Sequence, residues 1–178
     1  MAVAPDELVR RLAAARIGGT FNQYGGSPLR RRRLAEYLDA RWDAPFLLVG
    51  EAAGYRGARV SGLPFTSERQ LTGSGPAEAT ATIVHRVLAE LGLGESLLLW
   101  NVVPTHPHRP GEPRSNRRPT RAEGEVSLPF LGALAASRRL VAVGRLAAAV
   151  LDAPYVRHPS HGGARKFRAA LVELLAGA

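Results

Sequence analysis

The chain has 178 residues, 46% of them hydrophobic and 22% charged, which suits one domain with its own core. It contains no cysteine, and this excludes disulfides, thiolate catalysis, cysteine-ligated zinc and cysteine-held iron–sulfur clusters. No apolar run approaches the roughly 18 residues that a membrane span needs, and the formal net charge is +9, with 23 of the 24 basic residues arginine.

Asp6 to Arg16 reads as a first helix, with Leu8, Leu12 and Ala15 on one face. The charges in this opening segment distinguish it from a signal peptide, and a cytoplasmic location is expected. Residues 18–27 form a loop in which Phe21-Asn22-Gln23-Tyr24 either reaches a ligand or caps the core. Ser27-Pro28, an N-cap followed by proline at the first helical position, opens a second helix with Leu34, Tyr37 and Leu38 inward. Arg30 to Arg33 crowd the start of that helix against its dipole, so phosphate or nearby acids such as Glu36 and Asp39 are expected to offset them. Pro45 to Gly50 is a short apolar run typical of a buried strand, and a Gly-rich loop follows to about Gly75.

Residues 76–91 read as a helix through Ile83, Val84, Val87, Leu88 and Leu91. Ser96 to Trp100 is a second buried strand, followed by a long Pro/Arg loop to Pro119. Thr120 with Glu123 is a capping box that opens a helix carrying Val126, Leu128, Leu131 and Leu134, which Pro129 is expected to disturb. Leu140 to Val143 is a third strand, Arg145 to Leu151 a helix, Tyr155 to Arg157 a fourth strand, and Gly163 to Leu175 the last helix. Strands alternating with helices predict an α/β fold, a three-layer α/β/α sandwich around a short, mostly four-stranded parallel sheet. No repeat or domain boundary interrupts it, and a single domain over residues 1–178 is expected, acting as a monomer.

In such folds the site lies at the carboxyl ends of the strands. The polar, irregular segments 51–75, 101–119 and 158–163 all follow strands and are expected to converge on one edge. Charge points the same way. Residues 1–100 hold 12 basic and 10 acidic side chains, residues 101–178 hold 12 and 5, and a basic half suits a polyanion. The Gly50-Glu51-Ala52-Ala53-Gly54 loop lacks the Gly-Lys-Ser/Thr ending of a phosphate loop and departs from the dinucleotide fingerprint. An Asn just past a buried strand, Asn101, offers one acceptor and two donors to an amide-like edge, or satisfies loop backbone. His106 and His108, two apart, could ligate zinc, but the Pro-rich loop supplies no clear carboxylate partner, and no metal is expected.

Together these segments resemble the signature regions of the uracil-DNA glycosylase superfamily. Gly50-Glu51-Ala52-Ala53-Gly54 and Gly62-Leu63-Pro64-Phe65 resemble the Gly-Glu-Ala-Pro-Gly and Gly-x-Pro-Phe motifs of its iron–sulfur branch. Phe65-Thr66-Ser67-Glu68 resembles the Phe-Thr-Gly-Asp of a second branch. Residues 116–123, from Asn116 to Glu123, match Asn-Arg-x-Pro-Thr-x-x-Glu, and His158-Pro159-Ser160 matches the His-Pro-Ser that starts the DNA-intercalating loop. The resemblance covers roughly residues 44–175, leaving the N-terminal 43 weakly matched. Three departures stand out. The four cysteines of the iron–sulfur branches are missing, which implies a cluster-free member without cofactor. Ala53 replaces the usual Pro. His161-Gly162-Gly163 stands where many relatives carry a Leu wedge.

The resemblance implies a DNA glycosylase of base-excision repair that flips out uracil, or a related deaminated or modified base, and hydrolyses its glycosidic bond. Phe65 would be the stacking platform, Asn101 would read the base edge, and His158 would stabilise negative charge on the leaving base. A backbone N–H near Ala52 would assist. Tyr55 would exclude the thymine methyl. Glu51, or second to it Glu68, would stabilise the cationic sugar and orient water. Arg109, Arg114, Arg117, Arg118, Arg157, Arg165 and Lys166 would contact phosphate, with Thr66, Ser67 and Ser160 adding hydroxyls or backbone N–H, and His161 or Arg165 standing in for the wedge. The alternatives are a non-catalytic DNA- or base-binding member of the same fold, and a glycosylase for another lesion such as hypoxanthine or hydroxymethyluracil.

Overall fold

The computed structural model describes residues 3–175. Its central sheet has four strands, β2 (Phe46–Ala52), β3 (Leu97–Val103), β5 (Arg139–Val143) and β6 (Tyr155–Val156), in the order β3-β2-β5-β6. All of its pairings are parallel. A short antiparallel pair, β1 (Thr20–Phe21) with β4 (His106–Pro107), stands apart from it. The expected architecture is therefore present. Alternation along β2 and β3 divides the core between the two faces. Leu47, Val49, Leu98 and Trp100 pack with Leu8, Leu12, Leu34 and Leu134 on one face. Phe46, Leu48, Leu97 and Leu99 pack with Val84, Val87, Phe167 and Leu171 on the other. The helices on the first face are α1 (Pro5–Ala14), α2 (Pro28–Asp39) and α6 (Arg121–Ala135); those on the second are α5 (Ala79–Glu90) and α8 (Ala164–Leu175). A further helix, α7 (Arg145–Val150), follows β5.

Four details differ from the sequence reading. First, β2 and β3 run further than predicted, so Glu51, Ala52 and Asn101 lie inside strands, with Gly50 paired to Asn101. Second, the Gly-rich loop holds two short helices, α3 (Ala58–Ser61) and α4 (Glu68–Thr72), the latter capped by Ser67. Third, Pro129 leaves α6 unbroken, because both it and Glu125, whose carbonyl would have met its missing N–H, are exposed to water. Fourth, protein groups rather than Glu36 or Asp39 engage most of the arginines at the start of α2. Arg30 Nε donates to the Val60 carbonyl at 2.8 Å, Arg31 to the Tyr24 carbonyl at 2.8 Å, and Arg33 makes a two-pronged pair with Glu68 at 2.9 Å on each prong. Arg32 alone reaches Glu36, at 4.0 Å. These side chains staple the long loop to the helix.

The 21–24 segment mainly caps the core. Asn22 Nδ2 donates to the Leu12 and Ala15 carbonyls that end α1, at 2.8 and 3.0 Å. Gln23 Nε2 donates to the Pro104 carbonyl at 2.9 Å, and the buried Tyr24 hydroxyl donates to the Gly62 carbonyl at 3.0 Å. Phe21 alone stays exposed. No helix is long and apolar enough to cross a membrane among the described residues.

Candidate active site

A cavity of about 490 Å³ opens at the carboxyl ends of β2, β5 and β6, lined among others by Glu51, Ala52, Glu78, Arg118 and His158. Parallel strands end there together, and the loops after them supply the polar groups. Glu51 and Ala52 are the last residues of β2, so the sheet itself fixes their backbone. Glu51 is half-buried and forms no hydrogen bond or ion pair among the described residues. Burial pushes its carboxyl above the ordinary value of 4.5, and the positive charge of Arg118 opposes that rise.

His158 follows β6. Its Nδ1 accepts the Ser160 backbone N–H at 3.3 Å and lies 2.7 Å from the Ser160 hydroxyl. A nitrogen that accepts from a backbone N–H carries no proton, so the neutral ring bears its proton on Nε2. Burial, and then the neighbouring His161, lower the imidazole below its ordinary value and favour that neutral form. His161 itself is exposed and left-handed at φ 51°.

Phe65 and Asn101 come together at Gly50, the residue before Glu51 in β2, and neither lines the open cavity. A side chain at Gly50 would run into the Phe65 ring and, at 3.0 Å, the Asn101 Oδ1. Phe65 adopts a left-handed φ of 51° to bring its ring there, a strained conformation for a bulky residue. Asn101 is only 4% exposed, yet its amide has no hydrogen bond among the described residues. Gly50→Ala is expected to displace Phe65 and to destabilise the fold by about 1–3 kcal/mol, as overpacked core positions do; the midpoint of urea unfolding measures it.

The remaining residues named from the sequence are distributed differently. The Glu68 carboxylate is occupied by Arg33 and lies outside this cavity, so the two carboxylates kept as alternatives have separate surroundings. Thr66 and Ser67 turn inward instead of offering hydroxyls to solvent. The Thr66 hydroxyl donates to the Pro64 carbonyl at 2.9 Å and meets His85 Nε2, and the Ser67 backbone N–H donates to Gln70 Oε1 at 2.8 Å. Tyr55 faces away from the cavity, with its ring near Arg59 and His106. Arg117 is committed to Glu123 through bonds of 2.8 and 2.6 Å, and its Nε donates to the His108 carbonyl. Arg118 and Arg157 line the cavity and form no ion pair among the described residues, whereas Arg109 reaches Glu112 at 3.4 Å. Arg165 is exposed near the start of α8. His106 Nδ1 donates to the Ala53 carbonyl at 2.8 Å, and no group of three potential metal ligands is assembled among the described residues.

Two features escaped sequence reading. Glu78 reaches the cavity from just before α5, with its carboxylate packed against Gly54 and Gly57. Burial pushes it up, against a hydrogen bond from the Gly57 backbone. Nothing local marks it, since it comes from a Pro/Ala stretch far along the chain. Asn116 Oδ1 accepts the Tyr55 backbone N–H at 2.9 Å and so ties the loop after β3 to the loop after β2.

A family model described as the Uracil DNA glycosylase superfamily matches residues 37–175. The chain belongs to the uracil DNA glycosylase superfamily. Among solved structures, wild-type SMUG2 of Pedobacter heparinus has the same fold at 12% sequence identity, with a TM-score of 0.74 over 99% of this chain and 98% of that one. No curated protein matches the chain. Glu51 and His158 line the cavity, Asn101 does not, and the Asn116 to Glu123 segment is mainly a brace.

Proposed function

We propose that the protein is a monofunctional DNA glycosylase that extrudes a nucleotide bearing uracil, or a related deaminated or modified base, and hydrolyses its N-glycosidic bond. The observation that carries this reading is the pairing, in one cavity, of a half-buried carboxylate without a partner among the described residues, Glu51, with a neutral imidazole, His158, whose Nδ1 is held by Ser160. As the glycosidic bond breaks, the sugar becomes cationic and the base anionic. The Glu51 carboxylate stabilises the sugar and orients the water that adds to its anomeric carbon. The Nε2–H of His158 donates to the base oxygen where the electron pair collects. Asn101, whose amide makes no hydrogen bond among the described residues, would read the base edge, with Phe65 beside it. Arg118 and Arg157 meet phosphate at the rim. The products are the free base and an abasic site.

The position of Tyr55 favours a wider base choice than uracil alone, because it leaves Ala52 and Ala53 beside the cavity in place of a bulky wall. A panel of single-lesion oligonucleotides carrying uracil, hypoxanthine, xanthine or hydroxymethyluracil, single- and double-stranded, tests the reading. Release of at least one base is expected; release of none overturns it. His158→Ala is expected to slow single-turnover release about 10²–10³-fold, as loss of one oxyanion donor does, and quenched-flow product analysis measures this.

A further inference from the structure

A second cavity, of about 680 Å³, opens on the other side of the loop after β2 and is lined by Arg56, Arg59, Arg69 and Arg114 together with Tyr55 and Pro76. No acidic side chain lines it. None of its four arginines forms an ion pair among the described residues; Arg69 Nε donates only to the Gly75 carbonyl at 3.2 Å. The Arg59 guanidinium lies over two rings, 5.0 Å from the Phe21 centroid and 5.4 Å from the Tyr55 centroid. That arrangement fixes its plane, while its Nε is buried without a partner. The crowding of charge is felt nearby. Burial lowers both the Arg30 guanidinium and the His106 imidazole, and the charge of Arg59 lowers each further. Unneutralised guanidinium groups gathered around one concavity repel one another, and an anion seated among them would relieve that repulsion and use the unspent donors. Both cavities flank the same backbone, since Gly54 lines the first and Tyr55 the second.

We propose that the Arg56/Arg59/Arg69/Arg114 cavity is a phosphate site that grips the DNA strand next to the nucleotide entering the first cavity. The proposal rests on the glycosylase reading for the direction of the strand, but binding tests it without chemistry. The probe is a fluorescent 15-nucleotide single strand carrying one uracil, titrated by anisotropy over about 50–200 mM NaCl. The test variant replaces the exposed pair, Arg56→Gln with Arg114→Gln, and the charge-matched control replaces Arg10→Gln with Arg86→Gln on α1 and α5.

In the test variant the slope of log affinity against log salt should become shallower by about 1.4, or ~0.7 for each phosphate no longer neutralised. Affinity at the lowest salt should fall about tenfold or more, while the control keeps the wild-type slope. Millimolar inorganic phosphate should weaken the wild type's grip on the strand more than that of the test variant. Equal slopes in test variant and control, or no strand binding by the wild type, overturn the proposal. The expected slopes without release of any base leave the phosphate site standing and remove the glycosylase reading; base release with equal slopes does the reverse.

Discussion

Glu51→Gln is expected to slow base release at least 10²–10⁴-fold in single-turnover experiments, the range typical of a lost acid–base group. Affinity for the same oligonucleotide should change only a few-fold, because the amide fills the same space. The reason lies in the surroundings of the carboxylate. It sits at the end of a central strand, half-buried and without an ion pair among the described residues, beside Arg118. Its burial also sets the pH dependence. The folded carboxyl is pushed above 4.5, and only the ionised form can stabilise a cationic sugar, so the rate should fall as pH drops through a value above 4.5. Arg118→Gln removes the opposing positive charge, raises that carboxyl further, and should move the acid limb to higher pH.

The sign for stability is the reverse. A carboxyl whose folded pKa is raised stabilises the protein at low pH and loses that contribution as pH rises through the folded value. Glu51→Gln should therefore be no less stable than wild type at pH 7, and denaturant titration of both proteins checks this. Full activity in the variant would remove Glu51 from the mechanism, and Glu78, the other carboxylate lining the cavity, would be the next replacement to make.

The largest effect on stability is expected at Glu123. Its side chain is 2% exposed. Its Oε1 accepts Gly19 N–H at 3.1 Å and Arg117 at 2.6 Å, and its Oε2 accepts Arg117 at 2.8 Å and Thr120 N–H at 2.8 Å. Glu123→Ala would leave a largely buried guanidinium without its carboxylate, with only its hydrogen bonds to the His108 and Arg118 carbonyls, and two backbone N–H groups without partners. The expected loss is about 3–5 kcal/mol, the range for breaking a buried pair, toward the lower end because Arg117 is 23% exposed and water can reach it. The hydrogen bonds from Arg117, above all, hold the Glu123 carboxyl below 4.5. A depressed folded pKa gives stability that is present above the unfolded value and lost as pH falls through the folded one. Below about pH 4.5 the advantage of wild type over Glu123→Ala should therefore shrink, as urea midpoints at pH 7 and pH 3 will report. Activity should fall as well, since the same brace carries Asn116 and Arg118 to the cavity.

This brace changes the meaning of one of the motifs that carried the resemblance. In the sequence, Arg117 looks like one more cation for phosphate, and Thr120 with Glu123 looks like an isolated helix cap. Folded, Glu123 caps the helix and clamps Arg117 at once, and it also takes the Gly19 N–H from the other end of the chain. Gly18, at φ +52°, has no room for a side chain against Glu123. The capping box was legible because its partners are three residues apart. The clamp to residue 19 was not, because no local pattern reports a contact across more than a hundred residues.

By itself the sequence determined the α/β class, the four strands and the edge at which the chemistry gathers, because hydrophobic period and strand order are written locally. It also picked out Glu51, Ala52 and His158, which lie at or just past the carboxyl ends of strands and share one cavity. Only the tertiary structure decided which of the chemically similar groups are free. Glu51 and Glu68 are both carboxylates in motif-like segments, but Arg33 reaches Glu68 across 35 residues, while no cation reaches Glu51 closely enough to pair among the described residues. The arginines divide in the same way. Arg33 and Arg117 are spent on carboxylates, while Arg56, Arg59 and Arg114 converge without one among the described residues. A charge's availability depends on what the fold places within about 4 Å of it, and residue type and spacing along the chain do not contain that distance.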